Sequence, residues 1–224
     1  MGSVRNRALP GYPGPARKAP SLCKTSQTHA FLIGGLAYVR LNSCLRFDLA
    51  GNEWLEMPSM QVARTQSSSC SLAGSLYVFC GYNNEKGGFL NSIEKLSLFE
   101  SASEQNQQVW QLLHENNETP DLTWRTSPVA CPLNSSEILI MGGFDNQLLN
   151  DAFVFEVEGE RIRPLRLGGE KLAFKSFNNA SAAVYRNVVV ALVYVGDEEP
   201  PRLIEYTKGA NTINTIHTFC DQTI

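Results

Sequence analysis

The stretch Ala-Phe-Leu-Ile-Gly-Gly (30–35), followed by Ser-Cys-Leu-Arg-Phe-Asp-Leu (43–49) and Glu-Trp-Leu-Glu-Met (53–57), decides the fold. Its first part is continuously apolar and stops at a glycine pair. In its second part apolar and charged residues alternate, which is the period-two pattern of a strand with one buried face. The third part is anchored by Trp54. One small sheet of this kind buries too little apolar surface to be stable alone, so the stretch predicts further copies of itself.

The copies are present in the chain. The apolar run recurs as Ser-Leu-Tyr-Val-Phe-Cys-Gly (75–81), as Glu-Ile-Leu-Ile-Met-Gly-Gly (137–143) and, without glycines, as Asn-Val-Val-Val-Ala-Leu-Val (187–193). These copies follow one another at intervals of 46, 62 and 50 residues. The alternating strand recurs too, at 92–98, 151–157 and 202–206. A period near 50 with four strands in each unit predicts an all-β fold, a β-propeller whose blades are small sheets.

Two segments resemble the kelch repeat. They are Arg64, 75–81, Leu-Asn-Ser-Ile-Glu (90–94) and Trp110 in one unit, and Arg125, Ile-Met-Gly-Gly (140–143), Leu-Asn-Asp (149–151) and Phe-Glu-Val (155–157) in the next. The resemblance covers about residues 18–220. It implies kelch-type four-stranded blades, and it implies an interaction domain more often than part of an enzyme.

We expect a flexible basic leader at 1–17 and a kelch-repeat domain at 18–220. The units of that domain are predicted at about 18–60, 64–113, 125–165 and 173–219. Four blades are few for this family, so the alternatives are a compact four-bladed ring and an incomplete ring. The exposed strand edges of an incomplete ring would need cover from another chain, and self-association is expected in that case.

Charge is spread unevenly along the chain. The first 47 residues hold seven cations and no acid, whereas the rest holds 12 basic and 22 acidic residues. A basic arm could contact nucleic acid, but a solvated leader is the simpler interpretation and no nucleic-acid-binding motif supports the other. No apolar run approaches 18 residues, so no membrane span is expected.

Cysteines and histidines do not predict chemistry. Cys23, Cys70 and Cys131 occupy the same place in three successive units, where the rotation between blades should keep them apart. We expect them to be small buried side chains, and the absence of a C-x-x-C motif favours a reducing compartment and a cytoplasmic protein. The three histidines share no spacing, so no metal and no cofactor is expected.

The remaining signal is the surface formed by loops. In a propeller, the loops that join second to third strands emerge on one face together with the crossings between blades. Aromatic, arginine and amide side chains, typical of recognition surfaces, are predicted there. The candidate partner-binding residues are Arg64, Tyr82, Asn83, Asn84, Arg125, Phe144 and Asp145. For Arg64 and Arg125 the alternative is an architectural role, because each opens its unit at the same place.

Two functions therefore remain open. The first is a scaffold, without enzyme activity, that binds a protein partner of unknown identity through one propeller face. A variant of it, an adaptor in ubiquitin ligation, needs a BTB or F-box segment, for which a leader of 17 residues is expected to be too short. The second is a carbohydrate-active or oxidoreductase propeller enzyme, as some relatives of kelch propellers are.

Overall fold

The structure is a computed structural model, and it describes residues 11, 13–98, 108–114, 122–176, 182–186, 188–196 and 198–219. In these residues the regular structure consists of β-strands and one 3-10 turn, Asn84–Lys86. Most of the predicted leader lies outside them.

The first three sheets each have four antiparallel strands in sequence order. The first sheet contains β1 (Ser21–Lys24), β2 (His29–Ile33), β3 (Cys44–Asp48) and β4 (Glu53–Met57). The second contains β5 (Ser68–Leu72), β6 (Ser75–Asn83), β7 (Gly88–Ser97) and β8 (Trp110–His114). The third contains β9 (Val129–Pro132), β10 (Glu137–Met141), β11 (Ala152–Glu156) and β12 (Arg161–Leu165). This is the four-stranded blade that the repeated sequence pattern predicts.

The fourth sheet is less regular. It contains β13 (Gly168–Gly169), β14 (Lys175–Ser176), β15 (Ala183–Tyr185), β16 (Val188–Tyr194), β17 (Arg202–Thr207) and β18 (Thr212–Thr218). The two short strands β14 and β15 both pair with β16, where the other sheets have one inner strand. At the outer edge, β13 adds to β18 in parallel. This unit is the one whose sequence departs most from the repeat.

Three apolar clusters join neighbouring sheets. One lies between sheets 1 and 2, with Phe31 and Trp110 at its centre, a second between sheets 2 and 3 around Phe79 and Phe155, and a third between sheets 3 and 4 around Phe174. Each apolar core is thus shared between two neighbouring sheets, as expected for a blade that is too small to fold alone.

Details of the repeat also follow the sequence. Cys23, Cys70 and Cys131 are buried and not disulfide-bonded, as predicted. The tight turn after β3 is closed by Asp48, whose Oδ1 accepts hydrogen bonds from the Ala50 and Gly51 N–H groups at 2.8 and 2.9 Å. The Gly51 N–H, with smaller help from Ala50, holds the pKa of Asp48 below its usual range.

The two end blades differ from the inner ones. None of the three clusters among the described residues joins sheet 4 to sheet 1. Leu22 on β1 is 57% exposed, and Trp54 packs on Phe47 with ring centroids 4.8 Å apart, on the face of sheet 1 that points away from sheet 2. Trp110 therefore fills the gap between sheets 1 and 2, whereas Trp54 lies on the opposite face of sheet 1.

Candidate functional site

Four equivalent bridges lie at one end of the propeller. In three of them, a residue three positions before the inner strand pairs with the residue after the glycine of the repeat: Lys18 with Leu36, Thr65 with Tyr82, and Thr126 with Phe144. In the fourth unit, which lacks that glycine, Lys175 on β14 pairs with Tyr194 at the end of β16. Each blade thus contributes one pair at the same height. The position that is threonine in the two inner blades is lysine in the two end blades.

These eight residues surround a cavity of about 580 Å³. The remaining lining residues come from the start of β7 and from the adjoining loops: Phe89 on the strand, and Ala19, Arg40, Gln66 and Ser127 on the loops. Three of the lining residues are cations and none is acidic. The cavity is thus a positively charged, partly aromatic depression to which all four blades contribute.

The cations of the cavity lie against its aromatic rings. The guanidinium of Arg40 is 4.9 Å from the ring centroid of Tyr82. The ammonium of Lys175 is 5.1 Å from the Phe144 centroid and 5.9 Å from that of Tyr194. Phe89 meets both Tyr82 and Phe144 edge-on, at 5.4 and 6.2 Å. These contacts are in the range of cation–π and edge-to-face interactions, so the rings hold the cations on the wall.

The main chain beside the cavity has an unusual conformation. Ala19, Gln66 and Ser127 are equivalent residues with φ of 47°, 54° and 49°. The Ser127 N–H donates to the Gln66 carbonyl at 2.7 Å, and the Gln66 N–H donates to the Ala19 carbonyl at 3.1 Å. Left-handed backbone at residues other than glycine costs energy, and here these hydrogen bonds between blades hold it.

Arg64 lies in the interior. Its side chain is fully buried and forms an ion pair with the equally buried Glu94 at 2.7 Å. Its guanidinium also donates to the carbonyls of Cys80 and Ser92, at 2.8 and 3.2 Å. Glu94 in turn accepts from the main-chain N–H groups of Gln61 and Val62. The pair ties the crossing between blades 1 and 2 to β7, which is the architectural alternative for Arg64.

Arg125 has the same position in the next unit. Its guanidinium binds both carboxylate oxygens of Asp151, at 2.7 and 2.9 Å, and donates to the Gly142 carbonyl at 2.8 Å. It also bonds Thr123 and packs over the Phe153 ring. The Arg125 side chain is buried, so its contacts too are internal.

Between the two arginines lies Cys80. Burial raises the pKa of its thiol to about 11, and the guanidiniums of Arg125 and Arg64 oppose that rise.

The other predicted site residues are distributed over the same end of the molecule. Tyr82 and Phe144 line the cavity. Asn83 is buried and structural: its amide donates to the Ala63 carbonyl at 2.6 Å and its oxygen accepts from the Glu85 N–H at 2.8 Å. Asn84 is exposed and Asp145 half-buried. Partner binding by Tyr82, Asn84, Phe144 and Asp145 stays a prediction.

Sequence reasoning did not find Lys18, Lys175, Phe89 and Tyr194 as cavity residues. Their signal is positional, because Lys18 and Lys175 occupy the place of Thr65 and Thr126 in the repeat. The fourth unit has lost its glycines, so this alignment is not visible until the strands are paired. No group of three His, Cys, Asp or Glu side chains within the described residues could hold a metal ion. Nor does that part of the chain contain a helix suited to crossing a membrane.

The chain is similar to known repeat proteins. No protein-family model matches it. It is 35% identical over 80 residues to an F-box/kelch-repeat protein of Arabidopsis thaliana, an overlap of 36% of this chain and 19% of that protein. It also matches the solved structure of YjhT with a TM-score of 0.72 at 14% identity, over 95% of this chain and 68% of the other. The chain has a kelch-type β-propeller fold of about four blades, which confirms the fold predicted from its sequence, and the similarity to an F-box/kelch-repeat protein agrees with the predicted family.

Proposed function

We propose that this propeller is an interaction module and that it binds a protein partner through the face that carries the cavity. The supporting observation is Tyr38, which is fully exposed at the tip of the loop between β2 and β3. The loop is ordered by a bridge between Leu36 and Arg40 and by a hydrogen bond from Leu41 N–H to the Gly35 carbonyl at 2.8 Å. A tyrosine presented in this way contributes nothing to the core.

A second aromatic residue supports the same face. Trp124 is half exposed and directly precedes Arg125 on the crossing into blade 3. Tyrosine and tryptophan are the residues most enriched among those that carry binding energy at protein interfaces. The hydrogen bonds of Arg125 hold the crossing that carries Trp124, and main-chain bonds hold the loop of Tyr38, so both aromatic residues are positioned before a partner arrives. This lowers the entropic cost of association.

Affinity capture from cells of the source organism tests this proposal. We expect the wild-type chain to retain a partner that the Tyr38→Ser, Trp124→Ser double variant loses. Leu49→Ser is the matched control, because Leu49 is an exposed apolar residue after β3, at the opposite end of the propeller. Quantitative mass spectrometry of the three samples gives the result, and circular dichroism shows that each is folded.

A partner retained equally by the double variant would overturn the docking face. Loss with Leu49→Ser as well would also overturn it, since the effect would not then be specific to this end. The alternative function, a carbohydrate-active or oxidoreductase enzyme, is tested by no observation above and stays a prediction.

A further inference from the structure

We propose that the cavity at the centre of this face binds a small organic anion, one that carries a carboxylate or phosphate group next to an apolar or ring portion. This inference does not depend on the docking of a protein partner. It rests on the charge, the aromatic lining and the size of the cavity.

The first step of the argument is electrostatic. Lys18 and Arg40 form no ion pair with any acidic side chain of the described chain, although the protein as a whole has a net charge of −3. The Nε of Arg40 is buried and has no hydrogen-bond acceptor. Buried donors are ordinarily paired, and an anionic ligand or a water molecule in the cavity could supply the acceptor for this atom. Like charges that share a cavity repel each other, and an anion between them would offset that repulsion.

The second step concerns the repeat. Lysine occurs at the bridge position in the two end blades, whereas threonine occurs there in the two inner blades. The fold accepts threonine at this position, so it does not need Lys18 or Lys175 for its own geometry. The two lysines instead place positive charge at the two ends of the arc, facing the same cavity.

The third step concerns the rings. Phe89 contacts both Tyr82 and Phe144 edge-on, so the three rings form one apolar wall, and Tyr82 and Phe144 each carry a cation on one face. A fixed cation beside an apolar wall suits a ligand that has both an anionic group and a carbon skeleton. Inorganic phosphate alone would leave the rings without contact.

The size of the cavity is the last step. A volume of about 580 Å³ lies within the roughly 300–1,000 Å³ of small-molecule sites. Residues from all four blades line it, so it is already formed in the absence of ligand. The observations therefore favour a small molecule over an extended protein segment.

The experiment uses simple probes and ligand-observed NMR or calorimetry. Benzoate and phenyl phosphate supply the anion and the ring, benzyl alcohol is the neutral counterpart, and a peptide with acidic side chains is the macromolecular probe. We expect both anions to bind at least tenfold more tightly than benzyl alcohol, with affinity that falls as the salt concentration rises.

Two variants of equal charge test the location. Lys18→Gln with Arg40→Gln should weaken benzoate binding at least tenfold. Lys24→Gln with Arg161→Gln should leave it unchanged, because these exposed cations lie at the other end of the propeller, beside the β1–β2 and β11–β12 turns. Thermal melting confirms that both variants fold.

Four results would overturn the proposal. They are equal affinity for the neutral probe, no binding of any probe, equal weakening in both double variants, and binding only of a peptide whose side chains carry the carboxylates. The last result would leave the docking of a protein partner intact and remove the small-molecule site.

Discussion

Arg64 and Arg125 occupy the same place in adjacent blades, yet their carboxylate partners differ. The side chain of Glu94 is buried completely with Arg64, whereas that of Asp151 is 36% exposed. Glu94 also accepts two main-chain N–H groups, whereas the Asp151 carboxylate accepts from Arg125 in a bidentate pair and from the Thr123 hydroxyl at 3.5 Å. The same arginine is therefore held by a dry network in blade 2 and by a pair open to water in blade 3.

What the two arginines share is a main-chain task. The NH1 group of Arg64 donates to the Cys80 carbonyl, and that of Arg125 donates to the equivalent Gly142 carbonyl. In blade 1, Arg17 makes the same bond to the Gly34 carbonyl at 2.9 Å. In the fourth unit Phe174 takes this place. The carbonyl of Phe174 accepts from the Gly143 N–H at 2.6 Å, just as the carbonyl of Arg125 accepts from the Gly81 N–H. The ring of Phe174, unlike the arginine side chains, joins an apolar cluster. The glycine N–H thus bonds a main-chain carbonyl of the next blade at all three contacts between consecutive blades, whereas the cation is present in the first three units and absent from the fourth.

The largest effect is expected from Glu94→Gln. It leaves a fully buried guanidinium without a counter-charge, and breaking a buried pair typically costs about 3–5 kcal/mol. We expect a loss of roughly 3 kcal/mol in the free energy of unfolding, measured by urea denaturation. Glu53→Gln is the control, with the same change of charge at an exposed residue. A loss below about 1 kcal/mol would show that this pair is not dry.

Asp151→Asn is expected to have a smaller effect. The amide oxygen that replaces one carboxylate oxygen can still accept from Arg125, water reaches the side chain at position 151, and the Thr123 carbonyl still accepts from Arg125. Hydrogen bonds to charged groups contribute about 1.5–3 kcal/mol, and partial exposure places this pair near the lower end. The same urea measurement should give a loss of about 1.5 kcal/mol. A loss equal to that of Glu94→Gln would remove the distinction between the two blades.

The repeat made most of the fold predictable from the sequence. Strand alternation, the glycine pairs and the equivalent cysteines are local signals, and each copy confirms the others. The sequence could not decide between partner binding and an architectural role for Arg64. The choice depends on whether the Arg64 side chain is exposed, and this is set by Glu94, which lies 30 residues away on β7. A sequence pattern places the arginine at a blade crossing but does not show the carboxylate that buries it.

The cavity was only half predictable for a related reason. Tyr82 and Phe144 follow glycines in well-preserved units, so their loops could be placed on one face. Lys175 and Tyr194 belong to the unit that has no such glycines, and only the pairing of β14 with β16 shows that they form the fourth pair of the cavity wall. The sequence places Lys18 at the start of the first unit, but only the main-chain bridges show that Lys18 and Thr65 occupy equivalent positions.

Salt should produce the smallest effect and give the sharpest comparison. At 1 M NaCl the Debye length is about 3 Å, so an ion pair that water reaches is screened and a dry one is not. In urea denaturation, added salt should lower the cost of Asp151→Asn by roughly 0.5 kcal/mol, as expected for a partly exposed pair. The cost of Glu94→Gln should stay the same, because no solvent ions reach that carboxylate. If salt reduces both costs equally, the Glu94 network is open to solvent and the contrast between the two blades disappears.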